Sequence, residues 1–270
     1  MTQKIHPTAI VSSAAQLGEN VEIGAYSIIG DNVKIGDGTI VKSHVVIEGD
    51  TEIGNNNIIF PFASIGLAPQ DLKFKGEKSK VKIGNNNTIR EHVTIHLGTQ
   101  DGSMKTIVGD NCLLMVGVHI AHDCLVGDNV ILANNATLAG HVQIGNYVVI
   151  GGLSAVHQFV RIGEGAMIGG MSGVESDVIP NGLVMGERAF LAGLNLVGMK
   201  RRAIAREEIH ALRNFFKKLF LKKSNNFSTR VENLAKEFES HAVQEVAAFV
   251  KSESTRSFCQ PKEDETSGNE

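Results

Sequence analysis

Five of the ten histidines fall between residues 96 and 157: His96, His119, His122, His141 and His157. Asp123 follows His122, and Gln158 follows His157. An imidazole can take a proton from a hydroxyl near neutral pH, and an adjacent carboxylate can fix its orientation. Neutral imidazoles can equally hold a zinc ion. A third option is no chemistry at all, a scaffold whose flat faces bind a partner. A lone histidine is more often structural than catalytic, so the elements that carry these five must decide.

Those elements follow a repeat. Aliphatic residues recur every six positions from Ile5 through Ile23, Ile35 and Ile47 to Ile65, and in the same phase at Ile83, Ile89 and Ile95. After a slip of one residue the series runs again, from Val108 through Ile120, Leu138 and Val156 to Val174. Many are followed by glycine, as at Gly24, Gly84 and Gly127. Four residues after each aliphatic stands something small or β-branched, such as Ser27, Thr39, Cys112, Cys124 and Ala136. Neither a helix at 3.6 nor a strand at 2.0 sustains a period of six. A chain that turns a corner every six residues does. Aliphatic and small residues then point inward, and glycine eases the corner. Three hexapeptides close one triangular coil of 18 residues. About nine or ten coils stack, with parallel strands roughly 4.8 Å apart, in a prism about 45 Å long.

The repeat sorts the histidines. None of the five occupies an interior slot, so they are expected to point outward or to lie at corners. Cys112 and Cys124 do fill the small interior slot and read as structural. Residues 18 apart stack, so the hexapeptides beginning at Ile120, Leu138 and Val156 form one column. From Ile95 to Val108 is 13 positions where six would serve, an insertion of seven. With that correction Ile95 begins the rung beneath Ile120. The column then carries His96, His122, His141, and His157 with Gln158, on four rungs about 5 Å apart. A ladder of imidazoles in register reads as a site. Residues 67–80 also leave the pattern and read as a looped-out coil. Insertions in a solenoid are loops, often on the binding face.

This pattern resembles the left-handed parallel β-helix of the hexapeptide-repeat acyltransferases, over about residues 1–175. The left hand comes from that resemblance, since crossover connections are ordinarily right-handed. The strings HPTAIV, KSHVVIEG, FASIGLAPQDLKFKGE, HIAHDC, ILANNATLAGH, AVHQF and GLNLVGMKRR resemble one branch more narrowly, the UDP-N-acetylglucosamine 3-O-acyltransferases. That likeness runs from about residue 6 to at least 215. It implies transfer of an (R)-3-hydroxyacyl chain from acyl carrier protein to the 3-hydroxyl of UDP-N-acetylglucosamine, the first step of lipid A biosynthesis. It further implies a homotrimer with active sites between neighbouring prisms, and no metal or other cofactor.

Residue by residue, the resemblance makes His122 the general base and Asp123 its orienting partner. The Gly140 N–H becomes the oxyanion donor. Asp71, Lys73, His119, His141 and Gln158 match sugar-nucleotide contacts, and Gln70 and His157 are further pocket residues. Asn195 and Arg201 match nucleotide and phosphate contacts. Gly170 matches the acyl-chain end stop, where a residue without a side chain leaves the groove open to a long chain. Val197 stands where the family often has an acidic residue. Three alternatives stay open: a 3-amino sugar nucleotide as acceptor, a zinc enzyme like the gamma-class carbonic anhydrases that share this fold, and the related N-acyltransferase. The last normally carries a domain before its repeats, whereas these repeats start at residue 5.

After Val174 the text changes. Residues 1–190 read as the β-helix domain, 191–256 as a small α-helical domain and 257–270 as a disordered tail. A helix is expected over 206–223, with Ile209, Leu212, Phe216, Leu219 and Phe220 as its apolar stripe. Glu207 and Glu208 at its start, and Lys222 and Lys223 at its end, suit the macrodipole. Thr229 and Glu232 fit a capping box for a second helix, and 242–252 suits a third. Composition excludes other classes. At 42% hydrophobic and 20% charged residues the chain is not disordered. A net charge of −3 gives no sign of nucleic-acid binding. Three cysteines make neither a disulfide framework nor a zinc motif, which fits a reducing compartment. No signal-peptide pattern or run of about 18 apolar residues points to export or membrane insertion. The expected location is cytoplasmic.

Residues 199–230 hold ten basic and two acidic side chains. Arg206, Arg213 and Lys217 fall near one face of the expected helix, and acyl carrier protein is acidic. A docking surface here would steer the donor electrostatically. Reversing charge with Arg213→Glu and Lys217→Glu is expected to raise KM for acyl carrier protein and to flatten its salt dependence. KM for the sugar nucleotide should stay put. Steady-state kinetics at two ionic strengths check this, and an equal effect on both substrates would refute it.

Overall fold

The computed structural model describes residues 4–221 and 226–262. The repeat forms short strands in three sheets of 11, 9 and 8 strands, and each coil gives one strand to each sheet. Ile23 lies against Val41, Ile29 against Ile47 and Ile35 against Ile53, each 18 residues on. The architecture is the left-handed β-helix with a small C-terminal helical part.

The aliphatic slot makes the core: Ile29, Ile47, Ile65, Ile95, Ile120, Leu138 and Ile168 are all fully buried. Ile5 in the first coil is exposed, because only one neighbouring coil covers it. The small slot is equally dry. Where it holds a hydroxyl, that group finds a carbonyl: Ser27 Oγ donates to Lys42 O (2.8 Å) and Thr39 Oγ1 to Gly54 O (2.9 Å). Such pairing removes the cost of burying a polar atom. Cys112 and Cys124 sit in this slot as expected, and Cys259 is buried as well. Burial pushes the Cys112 thiol up to about 11 and those of Cys124 and Cys259 up to about 12.

Glycine does not turn the corners as expected. The left-handed turn residues are mostly not glycine: Asn56, Asn86, Asn111 and Asn129 have φ of 55–58°. Asparagine tolerates that region because its short amide bonds locally. Gly84, by contrast, has no such φ and is required by proximity. A Cβ there would lie 2.8 Å from the Gly109 backbone of the next coil. The residue after this glycine bonds upward: Asp37 N donates to Asn55 Oδ1, Asn55 N to Asn85 Oδ1, Asn85 N to Asp110 Oδ1 and Asp110 N to Asp128 Oδ1. One edge of the prism is therefore laced by side-chain acceptors.

Beyond Val174, strand Gly182–Met185 extends the largest sheet, and Phe190–Leu194 pairs with it antiparallel. Four helices follow: α1 (Leu196–Arg201), α2 (Arg206–Leu221), α3 (Phe227–Ala235) and α4 (His241–Lys251). The sequence reading missed α1, which is one and a half turns long and too short for a periodic signal. The stripe on α2 is shifted: Phe215 is fully buried beside Ile209, Leu212 and Leu219, while Phe216 and Phe220 are half-buried. Lys222 and Lys223 lie outside the described residues. Asn226, not Thr229, caps α3, its side chain accepting from Ser228 N. Ser240 caps α4.

The expected disorder from residue 257 is wrong through Gln260. Asp177 N donates to Ser257 O (2.7 Å), Cys259 N to Asp177 O (2.8 Å) and Leu191 N to Gln260 O (2.9 Å). Residues 263–270 lie outside the described residues. A buried ion pair fastens this return. Arg161 Nε donates to Asp177 Oδ2 at 2.8 Å, and Nη2 lies 2.7 Å from the same oxygen as an ion-pair contact only. Its guanidinium covers the Phe249 ring at 4.6 Å. Among the described residues no helix is long and apolar enough to cross a membrane.

Removing one partner of a buried pair strands the other charge, which costs about 3–5 kcal/mol. Asp177→Ala is therefore expected to lower stability by about that much in a denaturant titration. A loss below about 1 kcal/mol, the range of an exposed pair, would mean the clasp contributes little.

Candidate active site

The expected column of rungs is present, since Ile95, Ile120, Leu138 and Val156 pair in succession. The histidines on it do not form one line. His122 is level with Gly140 and Gln158, whereas His141 is level with Asp123 and Phe159. His141 N accordingly donates to His122 O (3.0 Å). The two imidazoles meet edge to face with centroids 4.9 Å apart, and His141 stacks flat on Phe159 at 4.4 Å.

His122 and Asp123 stand at a corner of the prism, where Asp123 takes the left-handed conformation with φ 60°. That turn aims the Asp123 carboxylate back at the preceding imidazole. His122 Nδ1 lies 3.0 Å from Asp123 Oδ2. The same oxygen accepts from Thr99 N (3.0 Å) and Thr99 Oγ1 (2.7 Å), and Ser103 Oγ, which also reaches Lys105 O at 2.8 Å, lies 3.3 Å from Oδ1. Burial pushes the Asp123 carboxyl up, but these hydrogen bonds outweigh it and leave the group below its ordinary range. Asp123 is thus an anion and accepts only. Nδ1 of His122 must donate to it, and the ring's lone pair is left on Nε2. That nitrogen faces Asp71 Oδ2 across 4.0 Å. Gly140 floors the imidazole: a Cβ there would lie 2.6 Å from His122 Nε2. Its own N–H is given to no acceptor among the described residues.

The two insertions do the holding. Loop 97–104 brings Thr99 and Ser103 onto Asp123. Loop 68–79 brings Asp71, whose Oδ1 accepts from Lys73 N (2.9 Å). Lys73 Nζ pairs with Asp101 Oδ2 at 3.3 Å, and Gln100 N donates to Glu77 Oε1, so the loops bind each other. Gln70 is exposed on the same loop, and Leu72 beside it is fully exposed.

Other expected site residues have different surroundings. His119 Nδ1 is bonded to Thr94 Oγ1 at 2.7 Å. His96 is not exposed, as an outward slot in an unbroken coil would leave it. It is only 6% exposed, its Nδ1 has no partner, and its ring meets that of His119 edge on at 4.9 Å. Loop 97–104 leaves the prism directly after it. Burial, then the nearness of His119 and His122, pushes the His96 imidazole down to about 4. Burial likewise lowers His119 and His141, the latter against the pull of Asp123. His157 and Gln158 are exposed on the next rung. Gly170 is exposed, and a Cβ there would touch only Gly152 O, at 3.3 Å.

Asn195 and Arg201 are not brought to His122. They line a separate cavity of about 520 Å³ with Tyr147, Met167, Val197 and Arg202. The Asn195 amide is already committed: Oδ1 caps α1 at Gly198 N, and Nδ2 donates to Gly165 O. A second cleft, of about 620 Å³, lies round the corner from His122 and is lined by Asp123, His141, Phe159, Arg161 and Ser254. Arg206, Arg213 and Lys217 are exposed on α2. Sequence reasoning missed Thr99 and Ser103, although both lie in an insertion it had singled out. It also missed Arg256, whose guanidinium reaches His157 from 99 residues away.

A prism of 18-residue coils with a held His–Asp pair at a corner, roofed by two polar insertions, defines a hexapeptide-repeat acyltransferase. Comparison with known proteins narrows this. The model of bacterial transferase hexapeptide repeats matches residues 14–49 and 105–140. The model described as UDP-N-acetylglucosamine O-acyltransferase, domain 2, matches 177–259. The acyl-[acyl-carrier-protein]–UDP-N-acetylglucosamine O-acyltransferase of Rickettsia canadensis is 51% identical over 94% of this chain and 97% of its own. That of Methylobacterium radiotolerans is 55% identical over 76% and 75%. The solved UDP-N-acetylglucosamine O-acyltransferase of Moraxella catarrhalis superposes with a TM-score of 0.90 at 43% identity, covering 95% of this chain and 99% of that one. The chain belongs to the acyl-[acyl-carrier-protein]–UDP-N-acetylglucosamine O-acyltransferase family.

The His96 shift has a sign that can be tested. The unfolded imidazole protonates near 6.5 and the folded one only near 4. Below pH 6.5 the unfolded chain gains a proton that the fold refuses, so stability falls as pH drops, by on the order of 3 kcal/mol at most. Asp123, lowered instead, loses its contribution only below its ordinary value of 3.8. Wild-type Tm is expected to fall between pH 7 and 5, and His96→Gln to fall less. His119 and His141 keep part of the sensitivity. Equal losses in the two proteins would refute the assignment.

Proposed function

We propose that the protein transfers an (R)-3-hydroxyacyl chain from acyl carrier protein to the 3-hydroxyl of UDP-N-acetylglucosamine, the first step of lipid A biosynthesis. The observation that carries this is the His122 pair. Nδ1 is tied to Asp123 at 3.0 Å, and the free Nε2 faces Asp71 across a 4.0 Å gap. A sugar hydroxyl entering beside His122 would donate its one hydrogen to Nε2, and Asp71 would accept from a different donor of the sugar. His122 Nε2 takes its proton as the oxygen attacks the thioester carbonyl. Asp123 stabilises the imidazolium so formed. The carbonyl oxygen gathers negative charge, and the Gly140 N–H is the donor for it. Collapse of the tetrahedral intermediate breaks the C–S bond, and the leaving thiolate recovers the proton from His122.

The remaining residues take supporting roles in this reading. Gln70, Asp71, Lys73, His119, His141, His157 and Gln158 surround the acceptor. Asn195 and Arg201 serve the nucleotide from a neighbouring prism, which accounts for their separate cavity and makes the working unit a homotrimer. Of Asn195, the parts left for a ligand are those its capping bonds do not use. Gly170 leaves the acyl groove open, so long donors are favoured. Arg206, Arg213 and Lys217 dock the acidic carrier in the cytoplasm. No metal enters the mechanism. The zinc alternative would draw on His122, Asp123 and His141, whose ligand atoms lie within 4.8 Å of one another. Against it, the Asp123 oxygens are already occupied by Thr99, Ser103 and His122.

The test is turnover with carrier proteins charged with chains of several lengths, using UDP-N-acetylglucosamine beside its 3-amino analogue. His122→Ala is expected to lower kcat at least about a hundredfold while the protein stays folded, because the ring lies over Gly140 and not in the core. Near-normal turnover by that variant would sink the base assignment. Activity lost to chelators and restored by zinc would move the protein to the metal reading.

A further inference from the structure

After α4 the chain turns back and lies along the prism. Two residues of the prism hold it there. Arg161 Nη1 donates to Ser252 Oγ (2.5 Å), and Ser254 Oγ donates to Asp177 Oδ2 (2.7 Å). On the far side, Asp177 N donates to Ser257 O. Arg256 is caught between these anchors, and its own N–H donates to Ser254 Oγ (3.0 Å). Its backbone is held on both sides, and its side chain reaches back to the prism. Nη2 lies 2.7 Å from His157 Nδ1, and Nε donates to Gln158 O at 3.0 Å.

The chemistry of these contacts decides a tautomer. A guanidinium donates and never accepts. His157 Nδ1 must then be the acceptor, which leaves the ring hydrogen on Nε2. The same Nδ1 also lies 3.3 Å from the Gln158 carbonyl, which accepts and never donates. Without Arg256 that carbonyl would draw the hydrogen to Nδ1 and leave a bare lone pair on Nε2. Arg256 resolves the competition from both ends. It supplies Nδ1 with a donor, and it occupies the Gln158 carbonyl with another. His157 is exposed on the rung next to Gly140, so its tautomer sets what it offers a ligand.

We propose that Arg256 is a positioning residue for the acyl acceptor, holding His157 as an Nε2–H donor toward an oxygen of the sugar nucleotide. This rests on reading His157 as part of the acceptor pocket. The Arg161–Asp177 clasp belongs to the same device, because it sets where Arg256 stands.

The tautomer can be read directly in the unliganded protein by NMR of 15N-labelled histidine. The expected result is hydrogen on Nε2 in the wild type and a shift toward Nδ1–H in Arg256→Met. In turnover, Arg256→Met should raise KM for UDP-N-acetylglucosamine about tenfold, as for one lost oriented hydrogen bond, with kcat and KM for acyl carrier protein unchanged. Arg256→Lys, also a pure donor, should recover part of the loss. His157→Gln carries an amide N–H in place of Nε2–H and has no tautomer to lose. Adding Arg256→Met to it should change KM by no more than about twofold. A wild-type spectrum with hydrogen on Nδ1 overturns the proposal. So does an Arg256→Met effect that is equal on both substrates, or as large in the His157→Gln background. The spectrum stands without any substrate, so a protein that failed to use UDP-N-acetylglucosamine would defeat the functional reading and leave the tautomer result to be judged alone.

Discussion

One hydrogen bond, repeated, places nearly everything on this molecule. The N–H of one coil donates to the carbonyl of the next, 17 residues on, as from Gly18 to Ile35, Gly24 to Val41 and Gly30 to Ile47, at 2.8–2.9 Å. Because every coil is bonded to the ones beside it, the stack has no freedom to slip. A side chain at a corner is therefore aimed by the whole prism. Extra residues have only one place to go, which is outward. The seven-residue insertion after Ile95 and the longer one after Leu67 leave the sheets in register, as Thr94 still faces His119 and Ser64 faces Thr94. What the repeat cannot absorb becomes the apparatus over His122: Thr99, Ser103 and Asp71.

The site works by opposed pressures on its charges. Crowding and burial hold His96, His119 and His141 in the uncharged form. The same burial works against the charge on Asp123, and the donors of His122 and Thr99 outweigh it. The result is a buried, fully held Asp123 carboxylate beside the uncharged rings of His96, His119 and His141. It polarises His122 from the Nδ1 side and leaves Nε2 as the one base pointed into the cleft beneath Asp71. A carboxylate at that corner without loop 97–104 would lose most of its donors. The insertion is thus as much a part of the base as the imidazole.

Much of this was legible in the sequence, and the boundary has physical causes. A strict period of six announces the coils, the inward slots and the column that carries His122 and His141, because each follows from spacing alone. The finer geometry did not follow. Reading the histidines as one ladder overlooked that His141 comes 19 residues after His122 and not 18, which sets it level with Asp123 at the left-handed corner. His96 was expected to be exposed because its slot is outward in an unbroken coil, and the coil is broken by the insertion that starts one residue later. Asn195 was visible as a site residue but not as a helix cap, since α1 has too few residues to show a period. Phe215 and Phe216 exchanged places because the groove under α2 is shaped by α3 and α4. Arg256 gave no local signal at all. Its partners are His157 and Gln158, and it is brought to them by the anchoring of Ser254 on Asp177, which no spacing connects.

All three native thiols sit inside the prism or beneath its returning strand, with their acidity suppressed by burial. A thiolate is the form that reacts with electrophilic reagents, so none of the three competes for them at neutral pH. The folded protein is thereby blank to maleimide chemistry. A cysteine introduced at Leu72, fully exposed on the loop that carries Asp71, would be the one labelled position, and a fluorophore there would watch substrate arrival without touching the catalytic pair.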